Sequence, residues 1–460
     1  MIGHIGVIVA LILLIFLALR GMNVLLASLL AATVVAVTNA LPLAEALSTD
    51  YAGAMFKFAQ MFFLLFLAGA IFGRVMGESR AAMSIARAMT HLLGEDRTLL
   101  VIVLANALLT YGGVNVFIVV FTMYPLGLGL LQRANLPKRL FAAAGCLGGG
   151  TFTMTAMPGS PSLHNNIPMA TLDTTLSAGW GLGLIASAIM LGLGLIYLEY
   201  ERRKAKRHGE VFEPHPLDPL PEEGLDAVDM PHWFRAFVPI AAVIGTILIP
   251  QWMGHFTGKV GDAQSAPGVL MGLLRYSQEH PLFWTSIALA IGTAVALVLF
   301  WKHLASPGRA LSQGAESAAM PLLNTAAVIG FGGVVNATPI FDAFKHVMVD
   351  STLNPIISMV VAVNVFAGIV GSASGGLGIF MQNMAPFYLE AGVSPDTMHR
   401  LAAIASGGLD SLPHSGAVIT FLTVMRLTHR EAYKGIAVVT VIIPVIALAA
   451  VVLIAMAVAR

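Results

Sequence analysis

The chain has 460 residues, of which 57% are apolar and only 11% are Asp, Glu, Lys or Arg, and its mean hydropathy is +0.83. A typical soluble domain is about 25% charged, so this composition excludes a soluble enzyme, a nucleic-acid binder and a disordered scaffold. The net charge of +1 offers no broad basic field to nucleic acid. The apolar runs are long and continuous rather than alternating, which excludes a β-barrel and leaves an all-α polytopic membrane protein. The one cysteine, Cys146, cannot form an intrachain disulfide. Residues 1–4 carry no Lys or Arg, which argues against a cleaved signal peptide, and no cofactor or metal is expected.

At about 20 apolar residues per crossing, plain spans are predicted at 5–19, 23–41, 51–76, 171–198, 233–253, 282–303, 316–338 and 435–459. Two runs, 97–168 and 354–425, are too long for one helix and are interrupted by small residues. Residues 199–231 are the only long polar stretch. Its cluster Arg202, Arg203, Lys204, Lys206 and Arg207 marks it as a cytoplasmic loop between two halves.

The two long runs look alike. The first holds a hairpin-like stretch with Tyr111-Gly112-Gly113-Val114-Asn115 at its middle. A helix then starts near Arg139-Leu140, breaks at Gly148-Gly149-Gly150-Thr151, and is followed by Pro158 and His164. The second has Ser374-Gly375-Gly376 at its middle, then a helix from Arg400-Leu401 that breaks at Ser406-Gly407-Gly408-Leu409-Asp410, followed by Pro413 and His414. Each unit also opens with a plain helix and an amphipathic segment, 78–92 or 339–349, and closes with a plain helix. This is an internal repeat. The predicted division is N-terminal scaffold helices over 1–50, a first repeat over 51–198 and a cytoplasmic linker over 199–232. Central scaffold helices over 233–315 and a second repeat over 316–460 complete it.

If the first helix runs inward and 97–131 and 354–390 are re-entrant hairpins, 19 of the 25 Lys and Arg residues fall at the cytoplasmic face. They include Arg74, Lys138, Arg139, the 202–207 cluster, Arg430 and Lys434, as the positive-inside rule requires. Ten full crossings, both termini outside and mutually inverted repeats follow. Parity alone does not prove re-entrance; the Gly-Gly midpoints and short arms argue for it. The helices of 1–50 and 233–303, with the plain helices that open and close each repeat, are expected to form a static dimerisation domain. The amphipathic segments would be arms lying in the membrane interface.

Unwound backbone survives in hydrocarbon only where it lines a cavity or is buried in protein. Inverted repeats with interrupted helices mark secondary transporters, with the substrate site between the breaks. Four breaks are available, at 111–115, 148–165, 371–376 and 406–416. Glycines can instead serve tight helix packing, which accounts for Gly69, Gly73, Gly181, Gly183, Gly192 and Gly194. The four breaks also cluster Pro, Ser, Thr, Asn and His, which packing alone does not require.

Asp410 is the one acid well inside a predicted membrane segment. Ionised and unpaired it would be costly, so it is read as a proton or sodium carrier, against the plainer reading of a helix-capping carboxylate. His414 is the reserve candidate and His164 its counterpart in the first break; each could equally be a satisfied core histidine. No Lys or Arg falls in the breaks, so an anion would be held by helix N-termini, backbone N–H groups, hydroxyls and amides. The candidates are Gly112, Gly113, Asn115, Thr151, Thr153, Ser160, Ser162, Asn165, Ser372, Ser374, Gly375, Gly376, Ser411 and Ser415. Many of these hydroxyls could simply bond back to their own helix. Sodium coupling would draw on Asn115, Ser374 and nearby carbonyls. Two other classes compete. Gly371-Ser372-Ala373-Ser374-Gly375 with His414 as base suggests an intramembrane serine hydrolase, which leaves the repeat without purpose. A channel is disfavoured by breaks at corresponding positions of the two halves.

These motifs resemble the gluconate permease family of the ion-transporter superfamily over nearly the whole chain. The resemblance rests on Leu109-Thr110-Tyr111-Gly112-Gly113-Val114-Asn115, on the stretch from Met157 to Asn165, and on that from Ser406 to Gly416. The last two look most like the D-β-hydroxybutyrate permease branch. The resemblance implies proton-coupled import of a small hydroxylated monocarboxylate, 3-hydroxybutyrate or a gluconate-like sugar acid, across a bacterial inner membrane. Superfamily membership implies a homodimer with a scaffold and an elevator-like transport domain.

Overall fold

The computed structural model describes residues 2–20, 22–94, 97–114, 116–216, 218, 230–257, 268–339, 341, 343 and 353–458. Among these there are helices and turns but no strand. Asn115 and most of the predicted segment 339–349 lie outside the described residues.

The principal helices of the first half are α1 (Ile2–Leu19), α2 (Val24–Thr38), α3 (Ala52–Glu78), α4 (Ala81–Leu93), α5 (Thr98–Tyr111), α6 (Val116–Ala134), α7 (Arg139–Gly150), α8 (Leu163–Leu172) and α9 (Trp180–Arg207). Then follow α10 (Trp233–Thr257), α11 (Gly268–Glu279), α12 (Pro281–Phe300), α13 (Pro307–Asn336), α14 (Pro355–Val370), α15 (Ala373–Asn383), α16 (Pro395–Ser406), α17 (Gly416–Met425), α18 (His429–Ala437) and α19 (Ile443–Val458). Among the described residues, six stretches are long and apolar enough to cross a membrane: Leu43–Glu78, Trp180–Arg207, Trp233–Pro250, Pro281–His303, Pro307–Asn336 and His429–Val458. By contrast α5, α7, α8, α14, α15, α16 and α17 have 10 to 16 residues each. At 1.5 Å per residue, 16 residues reach only about 24 Å, short of the roughly 30 Å hydrocarbon layer.

Local chemistry sets several starts. Ser306-Pro307, Asn354-Pro355 and Ser394-Pro395 each put a side-chain oxygen at the cap and proline in the first turn, where its missing N–H is not needed. The Asn354 side chain accepts from the Ile356 N–H at 2.9 Å. The predicted span 171–198 starts late, at Trp180. Asp173 (φ +54°) and Gly179 (φ +59°) are left-handed and end one helix before the next can begin.

α3 and α13 lie along each other, with α2 and α12 against them and α10 on α12. α9 lies along α19, and this pair packs on α7 and α16. The sequence groups α9 and α19 with the static helices; they stand instead against the broken ones. Their faces explain it: Gly183, Ala186, Ser187, Met190, Gly194 and Leu198 are buried at three- and four-residue spacing on α9. A Cβ on Gly194 would come within 2.5 Å of Leu147 on α7. α4 packs on α5 and α10 with Ala81–Ala86 buried, and the Ser84 hydroxyl donates to the Pro231 carbonyl at 2.6 Å.

Several of the residues predicted to be cytoplasmic, Lys138, Arg139, Lys204, Arg430 and Lys434, lie near one another. Arg139 pairs with Glu201 at 2.7 Å and Glu210 at 2.8 Å, and Lys138 with Asp218 at 2.9 Å. A cleft of about 210 Å³ there is lined by Lys204, Arg430 and Lys434 among others.

Candidate functional site

The two interrupted helices break where the sequence places the interruptions. α7 stops at Gly150, a π-helical turn spans Phe152–Ala156, and α8 resumes at Leu163; α16 stops at Ser406 and α17 resumes at Gly416. Each hairpin tip docks on the break of its own half. In the first half the Thr110 and Thr153 hydroxyls lie 2.9 Å apart, and the Tyr111 hydroxyl donates to the Pro158 carbonyl at 3.1 Å. In the second, His414 Nε2–H donates to the Gly368 carbonyl at 3.0 Å. Gly371 sits there at φ +62°, and a Cβ on it would lie 2.9 Å from the His414 ring, so the turn needs glycine.

The polar residues of the first break divide into two sets. Thr151, Thr153 and Ser162 donate to the carbonyls of Leu147, Gly148 and Met154, at 2.5, 2.9 and 2.8 Å. Asn165 donates to Met157 and Ser160 at 3.2 and 3.0 Å. These side chains hold backbone, as the plainer reading of such hydroxyls has it. The hydroxyl of Ser160, both ring nitrogens of His164 and the carbonyl oxygen of Asn166 are instead buried without a partner among the described residues. Buried polar groups are nearly always bonded, so these orphaned atoms are the groups of the first break free to meet a further partner. The second break adds the Asn364 carbonyl oxygen and the Ser415 hydroxyl to the orphans.

The expected glycines are spent on packing. A Cβ on Gly112 would strike Ile240, on Gly113 Leu289 and Pro161, on Gly375 Val370, and on Gly376 the backbone of Ala367. Ser372 caps α15 by accepting from the Gly375 N–H at 3.3 Å, and Ser374 lies 3.5 Å from it. Neither serine bonds His414, so no nucleophile–base pair forms there.

Asp410 is half-buried in the second break. It accepts from the Ser411 hydroxyl at 3.0 Å, and no basic side chain among the described residues pairs with it. Cys146 on α7 and Tyr433 on α18 are titratable neighbours within its electrostatic reach. The Tyr433 hydroxyl donates to the Ser411 carbonyl at 3.1 Å. The breaks touch, since a Cβ on Gly407 would lie 2.7 Å from Thr155, and α8 packs against α15 and α16.

Sequence reasoning missed Arg400 and its neighbour His399. Both are fully buried on α16. Arg400 reaches out of its own half into the first break, donating to the carbonyls of Ala178, Ala156 and Leu176 at 2.9, 3.2 and 3.1 Å and to Asn165 Oδ1 at 2.7 Å. His399 Nδ1 lies 2.7 Å from the Thr174 hydroxyl. The breaks contain no Lys or Arg in sequence, yet the first contains a guanidinium in space. The sequence placed Arg400 at the opening of the second broken helix, as Arg139 opens the first; α16 instead begins at Pro395 under the Ser394 cap, which puts Arg400 in its middle. Gly183 was assigned to helix packing, but it sits beside this side chain.

The profile of the citrate transporter family, CitMHS, matches residues 10–406. The uncharacterized transporter YxjC of Bacillus subtilis (strain 168) is 36% identical over 455 residues, 95% of each chain. An uncharacterized transporter of Haemophilus influenzae is 42% identical over 84 residues, covering 18% of this chain and 20% of its own. With long apolar helices, two paired interruptions and this match over most of its length, the chain is a polytopic membrane transporter that belongs to the citrate transporter family.

Proposed function

We propose that the chain is a secondary active symporter that imports a small hydroxylated carboxylate together with protons. The observation that carries the proposal is Asp410: a carboxylate in a helix break, without a cationic partner among the described residues, in the same break as the unpartnered Ser415 hydroxyl. An intramembrane acid of this kind is a functional-site hypothesis by default. Asp410 would carry the proton, with His414 as the reserve; Ser160, His164, Asn166, Asn364 and Ser415 would meet the substrate. The protonated acid removes a like charge from the anion's neighbourhood, so proton and substrate each tighten the other's binding. The family name puts citrate, itself a hydroxylated carboxylate, beside 3-hydroxybutyrate and gluconate-like sugar acids as substrates to test.

The transport cycle would be elevator-like, in a bacterial inner membrane and as a homodimer. Residues 51–198 and 316–460 would be inverted halves joined through the linker 199–232 and the central scaffold helices of 233–315. Two things support this. The order of short hairpin, broken helix and closing helix recurs in both halves, and helices at corresponding positions pair, α3 with α13 and α9 with α19. The packing favours α2, α3, α12 and α13 as the static part, with α5–α9 and α14–α19 moving.

A thermal-shift panel of hydroxy and keto acids on purified protein selects the substrate, since a ligand of the native state raises its apparent stability. Uptake into proteoliposomes then follows, with either a pH or a Na⁺ gradient imposed. The proposal expects accumulation driven by the pH gradient; accumulation driven only by Na⁺ would replace protons with sodium.

A further inference from the structure

Arg400 is the largest side chain buried without measurable exposure. A guanidinium in such a place normally has a carboxylate beside it, because an uncompensated buried charge is expensive. Here four of its five N–H groups go to neutral acceptors, three backbone carbonyls and Asn165 Oδ1. No ion pair to it exists among the described residues; the Asp396 carboxylate, one turn back on α16, acts on it through space without bonding it. The fold makes room for it deliberately. Gly179 sits at φ +59°, where a Cβ would lie 2.5 Å from the Arg400 Cβ, and a Cβ on Gly183 would lie 3.1 Å from its Cδ. Arg139 supplies the internal contrast. It heads the first broken helix, whereas Arg400 lies midway along the second, and it is answered by two carboxylates, Glu201 and Glu210. One arginine is paired with carboxylates; the other is bonded to neutral groups of the first break, the same break that holds the unpartnered Ser160 and His164.

We propose that Arg400 is a positioning residue that holds the first break in its binding geometry and supplies the fixed positive charge whose counter-ion is the transported carboxylate. This rests on the carboxylate-symport reading. The guanidinium acts through Asn165 and the carbonyl of Ala156, while its field, little screened in the interior, favours an anion over a neutral ligand. It also joins the second half to the first, so substrate held at one break is registered against the other.

The test separates charge from hydrogen bonding. Arg400→Gln keeps N–H donors without the charge; Arg400→Lys keeps the charge with fewer donors. Asn165→Asp leaves Arg400 in place and gives it a counter-ion, which guards against a Gln variant that does not fold. The readouts are the half-saturating concentration and the maximal rate of carboxylate uptake in proteoliposomes, with citrate, 3-hydroxybutyrate and gluconate as probes. Arg400→Gln and Asn165→Asp are expected to raise half-saturation by about tenfold or more, with the maximal rate changed less, and Arg400→Lys to stay within about threefold of wild type. Equal losses in the Gln and Lys variants, or wild-type half-saturation in Asn165→Asp, would overturn the charge role. Wild-type protein that takes up none of the three carboxylates would overturn the symport reading, and the present proposal with it, before any variant is compared.

Discussion

The two helix breaks are held in different ways. Residues 151–165 hang from a dense set of bonds: Tyr111 to Pro158, Thr110 to Thr153, Asn165 to Met157 and Ser160, and Arg400 to Ala156 and Asn165. Residues 407–415 are held by fewer, mainly His414 to Gly368, Tyr433 to Ser411 and His429 to Pro413. Among the described residues, the first break is bonded by a cation, Arg400, and the second holds an acid, Asp410, that no cation pairs with. A backbone that must present a fixed surface to a ligand needs the first kind of support. A carboxylate that must gain and lose a proton is better served by the second, where no cationic side chain among the described residues pairs with it.

That contrast can be broken at its stiffest point first. Gly148 brings α7 against α5, and a Cβ there would lie 2.2 Å from the Val103 carbonyl oxygen. Gly148→Val is expected to yield no folded protein, judged by size-exclusion profile after extraction. At the start of α17, a Cβ on Gly416 meets nothing within 4 Å. Gly416→Ala should leave the Tm within the scatter of a surface change, about 0.5 kcal/mol. Comparable losses from the two substitutions would mean that the breaks do not differ in rigidity.

Asn165→Leu comes next. It removes the one side-chain acceptor of Arg400 and two donors to buried carbonyls, and should cost about 3 kcal/mol or more, seen as a lowered unfolding midpoint. A loss below about 1 kcal/mol would show that the first break does not depend on this network.

The smallest effect lies outside the membrane, where the linker is tied to the start of α7. The hydrogen bond from Arg139 holds the Glu210 carboxyl below its ordinary value, against desolvation that opposes it. For an acid depressed in the folded state, the stabilisation is fully present above the unfolded value of about 4.3 and is lost as pH falls through the folded one. The Phe212 N–H bonds to Asn135 Oδ1 at 3.1 Å and reports this tie. Its hydrogen exchange, corrected for the intrinsic pH dependence, should accelerate on going from about pH 6 to below the ordinary glutamate range. Unchanged protection would show that the ion pair does not fasten the linker.

Much of the contrast between the breaks was legible in the sequence. Gly148-Gly149-Gly150 and Gly407-Gly408 announced both interruptions, because runs of glycine weaken a helix and a proline soon after discourages its resumption, although α7 does continue through Gly150. Asp410 stood out as a charge in an apolar run. Arg400 did not, because it lies six residues before the break at Ser406, and only folding brings its guanidinium to residues more than 220 positions away. The same limit applies to the orphans: sequence cannot tell Ser160 and His164, left open, from Thr151 and Ser162, bonded back to their own backbone. The closing helix α9 looked plain for a related reason. Its small residues were visible, but their partners on α7 and α16 were not.

The most direct measurement is uptake by the Asp410→Asn variant in proteoliposomes, because asparagine mimics the protonated acid and cannot cycle. The account predicts that accumulation driven by a pH gradient is abolished, while exchange of labelled for unlabelled substrate persists at equal concentrations on both sides. Accumulation by Asp410→Asn against a substrate gradient, with the pH dependence of the wild type, would contradict it.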